Sequence, residues 1–179
     1  DTWAREAKVI MVDIDKSEMM KHTLHVDKAV WADAKDFLEK VNEIAEDKVF
    51  NNQKWLDICQ SWKHKYPVTL DRHWNNGGEF ANVFAFIKYL SDRLPEESYT
   101  AVSNGACCVV GHQNYTIKSG TRFIINSAIA SMGYGLPAAI GLCVADGRKD
   151  TICLEGDGSI MMNLQELQTI VTNNLPIKL

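Results

Sequence analysis

The sequence predicts an α/β chain: a doubly wound, mostly parallel sheet, truncated, preceded by the tail of a second α/β domain. Three observations carry this prediction. Helix-period and strand-like stretches alternate along the 179 residues. The strand-like runs are almost continuously apolar, the mark of strands covered on both faces. Three of those runs hand over to glycine-bearing loops, and ligands of open parallel sheets bind beyond the carboxyl ends of the strands.

The elements follow in order. Lys8 to Ile14 (KVIMVDI) is β-branched and apolar enough for a strand buried on both faces. Trp31, Ala34, Phe37, Leu38, Val41, Ile44 and Ala45 then recur at three- and four-residue steps, which places them on one helical face. Trp55, Ile58, Cys59, Trp62 and Tyr66 form a second such face. The turn-rich PVTLDRHWNNGGE (Pro67 to Glu79) follows, with Asn76-Gly77-Gly78 as its strongest breaker. The divisions expected are 1–48, a linker over 49–78, and a second domain over 79–179. In that domain Phe80, Val83, Phe84, Ile87, Leu90 and Leu94 make a helical stripe. Strands are expected at Tyr99–Ser103, Arg122–Ile125 and Thr151–Leu154, with a last one beginning at Pro176. Helices are expected from about Ala106, over Leu136–Ala145 and over Leu164–Thr172.

Composition narrows the function. A 46% apolar share suits a globular core, and a net charge of −4 offers no basic field for nucleic acid or an anionic membrane. No apolar run approaches the roughly 20 residues of a membrane span, and no signal peptide is evident. The five cysteines form no CxxC pair and are expected as reduced thiols of a cytoplasmic protein.

The chemistry gathers where strands meet loops. Thr151 to Ser159 (TICLEGDGS) ends a buried strand in Gly156-Asp157-Gly158. Flanking glycines let the backbone approach a bulky anion, and the carboxylate between them is the hard oxygen ligand that Mg²⁺ prefers, with phosphate oxygens completing the shell. Taken alone, the tripeptide reads equally as a tight turn in which Asp157 bonds its own backbone. In Ser127 to Gly141 (SAIASMGYGLPAAIG), Gly133 and Gly135 precede a helix; the third glycine of a dinucleotide fingerprint is misplaced, and close helix packing accounts for Gly133, Gly135 and Gly141. Asn104-Gly105 after a short strand is a turn signal, and the helix that follows has free N–H groups able to hold phosphate.

In this order, MGYGLPAAIG (Met132 to Gly141), GDGSIMMNLQEL (Gly156 to Leu167) and NLPIK (Asn174 to Lys178) closely resemble the C-terminal domain of thiamine-diphosphate-dependent enzymes of the acetolactate synthase large-subunit group. The resemblance is good over Phe80 to Leu179 and weaker over the first part, which is similar to the end of that family's central domain. It implies thiamine diphosphate and Mg²⁺ as cofactors, and a parent enzyme that decarboxylates a 2-keto acid and transfers the acyl carbanion. It implies Asp157 as a magnesium ligand, Gly156 as a cofactor contact, Gly158 and Ser159 as backbone and hydroxyl contacts to the phosphates, and Gly105, Ala106 and Cys107 as the facing wall. Many acetolactate synthases carry Gln and His after that glycine, so side-chain contacts from Ala106 and Cys107 are not implied. Met132 matches the apolar residue that props the cofactor in its bent shape, with core packing as the alternative, and the Ala130 carbonyl matches the acceptor for the aminopyrimidine.

No catalytic residue is assigned within this chain. The family's catalytic glutamate belongs to another domain, usually of a partner subunit. A second metal ligand, an asparagine, is expected roughly 27 residues beyond Asp157 and so past Leu179. The chain is therefore expected to be an inactive part of a homodimeric or homotetrameric enzyme that acts on a small 2-keto acid, with no nucleic-acid or membrane partner. The alternatives are a related decarboxylase or carboligase with another substrate, and a non-catalytic α/β binding module.

Overall fold

The computed structural model describes residues 5–75, 77–78 and 80–179. Asn76 of the expected breaker and Glu79 at the expected domain start lie outside the described residues. Contacts divide the chain into Asp1–Cys59 and Gln60–Leu179. The 49–78 segment contains the helices α3 (Gln53–Lys65), where the second apolar face is expected, and α4 (Asp71–Trp74).

In the first unit, β1 (Ile10–Asp13) pairs in parallel with β2 (Lys28–Trp31), in the register Ile10↔Lys28 to Asp13↔Trp31. Between them lies the short helix α1 (Lys16–Met19), started by Asp15, whose carboxylate accepts from the Ser17 N–H at 2.7 Å. After β2 comes α2 (Ala34–Ala45), capped in the same way by Asp33 on the Lys35 N–H. Two expectations are corrected here. Trp31 belongs to β2 and not to the helical stripe, because Asp33 caps the helix after it. The Lys8–Ile14 strand is not buried on both faces: Ile10 and Ile14 are 61% and 68% exposed. A two-stranded sheet has no further strand to pair with, and α2 itself buries none of its residues.

The second unit carries a four-stranded, all-parallel sheet in the order β4-β3-β5-β6. Its strands are β3 (Tyr99–Val102), β4 (Arg122–Ile125), β5 (Thr151–Leu154) and β6 (Ile177–Lys178). The helices are α5 (Val83–Arg93), α6 (Ala106–Asn114), α7 (Gly135–Ala145), α8 (Asp157–Ile160) and α9 (Glu166–Thr172). Strand alternation sorts the core into two layers. Val102 and Leu154 point to one face, where they pack with Ile87 of α5 and Val110 of α6. Ala101 and Cys153 point to the other, against Leu136 and Ala139 of α7, with Leu167 and Ile170 of α9 behind them. Helices on both faces make the sheet doubly wound, as the sequence predicts. Each of the four residues of β3 is buried.

The chain leaves β3 through α6 to β4 on one side, then returns through α7 to β5 on the other. That reversal between β3 and β5 is a topological switch point, the place where an open parallel sheet leaves a crevice beyond its carboxyl edge.

Candidate functional site

Three loops meet at that crevice. The first follows β3, whose Val102 pairs with Leu154 of β5, so the residues after both strands emerge side by side. Ser103 continues the pairing, its N–H donating to the Leu154 carbonyl at 2.9 Å. Gly105 then turns the chain at φ +69°, ψ −141°, a conformation that glycine takes without strain, and becomes the N-cap of α6. A glycine cap has no side chain to offer, so the first-turn N–H groups of α6, from Ala106 and Cys107 onward, stay open. Gly105 and Ala106 are exposed and Cys107 is half-buried.

The second loop follows β5. Gly156 is the N-cap of α8, a short additional helix that begins at Asp157, ahead of the expected Leu164–Thr172 helix, which is α9. Asp157 is exposed, and its Oδ1 accepts from the Gly158 N–H at 2.8 Å. Ser159 is 97% buried, at 3% exposure. Its hydroxyl is engaged inside the protein: it lies 2.6 Å from the Ser103 hydroxyl and accepts from the Gly133 N–H at 2.8 Å.

The third loop joins β4 to α7 and carries Ala130 and Met132. Ala130 sits at φ +53° and Gly133 at φ +82°. A Cβ on Gly133 would meet Asn163 Nδ2 at 2.6 Å and Met162 Cβ at 2.8 Å, so no other residue fits there. The Gly133 carbonyl in turn accepts from Asn163 Nδ2 at 2.6 Å. Met132 is 48% exposed, and its Cε lies 3.4 Å from where a Gly158 Cβ would stand. Met132 therefore projects over the Gly156-Asp157-Gly158 turn. Gly135 packs closely: a Cβ there would lie 2.2 Å from Glu155 Oε2 and 2.8 Å from Ser103 Cβ. Gly141 is different. Nothing lies within 4 Å of its Cβ position, so close helix packing does not explain it.

Three residues that sequence reasoning passes over belong to this site: Ser103, Glu155 and Asn163. Glu155 follows an apolar strand directly, and a charge at that place was the legible signal. Both of its carboxylate oxygens are buried with no hydrogen-bond partner among the described residues. Burial, and then the Glu155 charge, raise the Cys107 thiol above its ordinary value; the same two causes push Cys153 up to about 12. The five cysteines are all free. No three His, Cys, Asp or Glu side chains gather as a metal site among the described residues, and no described helix is long and apolar enough to cross a membrane.

Comparison with known proteins agrees with this placement. Residues 103–179 match the family model of the thiamine pyrophosphate enzyme C-terminal TPP-binding domain. The whole chain is 32% identical to the acetolactate synthase isozyme 2 large subunit of Escherichia coli, and 99% of it is 31% identical to the chloroplastic acetolactate synthase of Arabidopsis thaliana. It is also 31% identical over its full length to the acetolactate synthase large subunit of Cyanidium caldarium. The chain spans 31%, 26% and 30% of the lengths of these three relatives. The matched segment begins at Ser103, the first residue of the crevice, and takes in all three loops. Residues 103–179 thus match a thiamine-pyrophosphate-binding domain, and over its whole length the chain is similar to part of the acetolactate synthases.

Proposed function

We propose that the crevice between β3 and β5 is the half-site that holds the diphosphate of thiamine diphosphate together with Mg²⁺, in an enzyme that decarboxylates a 2-keto acid and transfers the acyl unit. The observation that supports this reading is the pairing Val102↔Leu154, from which the loop that starts α6 and the loop that carries Asp157 emerge from neighbouring strands at the switch point.

The donor set fits the group. Uncapped first-turn amides suit phosphate oxygens, and one exposed carboxylate suits a hard divalent cation. Since Asp157 belongs to no group of three or more His, Cys, Asp or Glu side chains among the described residues, phosphate oxygens, backbone carbonyls and water would complete the metal shell. Gly105, Ala106 and Cys107 present their N–H groups as one wall, and Gly156, Gly158 and Ser159 present backbone as the other. Ser159 contributes its N–H, because its hydroxyl is engaged with Ser103 and Gly133. Met132, standing over Gly158, supports the organic part of the cofactor, and the Ala130 carbonyl accepts from its amino group. The cofactor supplies the electron sink for carbon–carbon cleavage. These residues bind, orient and exclude water. Five free thiols accord with a reducing cytoplasm, and a homodimer or homotetramer would supply the catalytic glutamate from a partner.

Calorimetric titration with thiamine diphosphate tests the reading, with Mg²⁺ and with EDTA, on the chain and on Asp157→Ala. Magnesium-dependent binding that weakens tenfold or more in the variant is expected. A folded chain that binds nothing, or a variant that binds as tightly as its parent, would overturn it. The reading assigns no catalytic glutamate in these 179 residues, and on it the chain alone should release no CO₂ from pyruvate. Release of CO₂ would refute that part.

A further inference from the structure

The Gly133 peptide is held from both sides. Its N–H donates to Ser159 Oγ at 2.8 Å and its carbonyl accepts from Asn163 Nδ2 at 2.6 Å. Ser159 in turn meets Ser103 Oγ at 2.6 Å, and the two hydroxyl residues are buried, at 3% and 1% exposure. Ser103 is an anchor, since its backbone N–H extends the β3–β5 ladder through the Leu154 carbonyl at 2.9 Å. A line of hydrogen bonds thus runs from the sheet, through two hydroxyls, into the loop that carries Met132. That loop needs a tether, because its backbone enters the left-handed region twice, at Ala130 and Gly133.

We propose that Ser103 is a positioning residue of this site: the Ser103–Ser159 hydroxyl pair fixes the Gly133 peptide and thereby sets Met132 over the Gly156-Asp157-Gly158 turn. The physical reason is satisfaction of a buried hydroxyl. A serine hydroxyl has one donor and two acceptor sites. Ser159 spends one acceptor on Gly133, and Ser103 is its partner in the dry interior. Without Ser103, the Ser159 hydroxyl must turn toward another buried group or stay unsatisfied, and either outcome loosens its hold on Gly133. Met132 is the immediate neighbour of that peptide. Its methyl end stands 3.4 Å from the Gly158 Cβ position, on a flexible side chain that is 48% exposed.

The role of Met132 toward the cofactor rests on the proposed function, but its placement is readable in the cofactor-free chain. The test uses the whole 179-residue chain with ¹³C-methyl methionine, the Met132 resonance being identified by its loss in Met132→Leu. In Ser103→Ala and in Ser159→Ala the Met132 methyl should shift or broaden, while Met11 of the first unit stays in place. The double variant should move Met132 no further than either single one, because both changes cut the same link. Thiamine diphosphate with Mg²⁺ should bind Ser103→Ala about fivefold more weakly, the cost of one net hydrogen bond. An unmoved Met132 methyl in the folded variants would overturn the proposal. So would a displaced methyl with an unchanged Kd, for the loop would then be held for stability alone. Should Ser103→Ala not fold, Ser159→Ala decides by the same two readouts. A wild-type chain that binds no cofactor would strike the functional reading, and this role with it, whatever the methyl spectrum shows.

Discussion

Two glycine-to-alanine changes on the single helix α7 should move stability in opposite directions. At Gly135 the new Cβ would stand 2.2 Å from Glu155 Oε2 and 2.8 Å from Ser103 Cβ. Glu155 could swing aside, but Ser103 is 1% exposed and bonded to the β5 backbone, so the helix start must give way. Overpacking a tight interior costs about 1–3 kcal/mol. Alanine's helix preference over glycine returns at most about 1 kcal/mol, and less in a first turn. A net loss of about 1–2 kcal/mol follows, which at about 4 °C per kcal/mol for a unit of this size lowers Tm by about 4–8 °C. Gly141 lies exposed in the same helix with nothing within 4 Å of its Cβ position. There the same change gains about 0.5–1 kcal/mol, and Tm should rise by about 2–4 °C. Thermal unfolding followed by circular dichroism, with urea titration as a second measure, reads both. Gly135→Ala melting at or above the parent temperature would refute the close approach of α7 to the ends of β3 and β5. A loss at Gly141 would refute the open face of that helix.

Further expectations concern the buried acid and thiols. Glu155→Met, which keeps the length of the side chain and removes two unpartnered carboxylate oxygens, should stabilise the chain by about 1 kcal/mol or more in urea titration; a loss would mean that the carboxylate has a partner. Cys153 should resist iodoacetamide at pH 8 in the folded chain and react on unfolding, because burial and then Glu155 push its pKa up to about 12; fast labelling in the native state would contradict this. The same raised pKa makes stability fall with pH. The unfolded thiol ionises near its ordinary 9.0, so this contribution is complete below about pH 9 and is lost between there and about pH 12. Cys153→Ser should flatten that alkaline slope in unfolding midpoints measured across the range, and an unchanged slope would exclude Cys153 as its source.

The parallel sheet was legible because its strands announce themselves chemically. Arg122–Ile125 and Thr151–Leu154 are short apolar runs closed by turn residues, and their ends fall at the observed positions. β2 was not legible, since KAVW holds only a half-period of pattern and Trp31 fits the helical spacing that follows it. Its place depends on pairing with β1, a contact that local sequence does not encode. At the site, glycines and Asp157 stood out because each departs from what a strand or helix tolerates. Ser103 and Asn163 did not, because a serine after a strand and an asparagine after a turn are common. What makes them part of the site is partnership across the chain: Ser103 with Ser159, Asn163 with Gly133. Glu155 shows the limit most plainly, for its charge was visible and the absence of a partner was not.

The position of β3 between β4 and β5 sets a timetable for synthesis. Tyr99 pairs with Thr151, which is 151 − 99 = 52 positions later. At about 5–20 residues per second, translation leaves roughly 3–10 s between the two partners. Throughout that interval the most completely buried strand of the domain has at least one edge unpaired. Its four residues, hidden in the folded chain, are then open to chaperones and to other nascent chains. Placing a crevice at a switch point therefore has a biosynthetic cost: the strand that seeds the crevice must wait longest for its second neighbour.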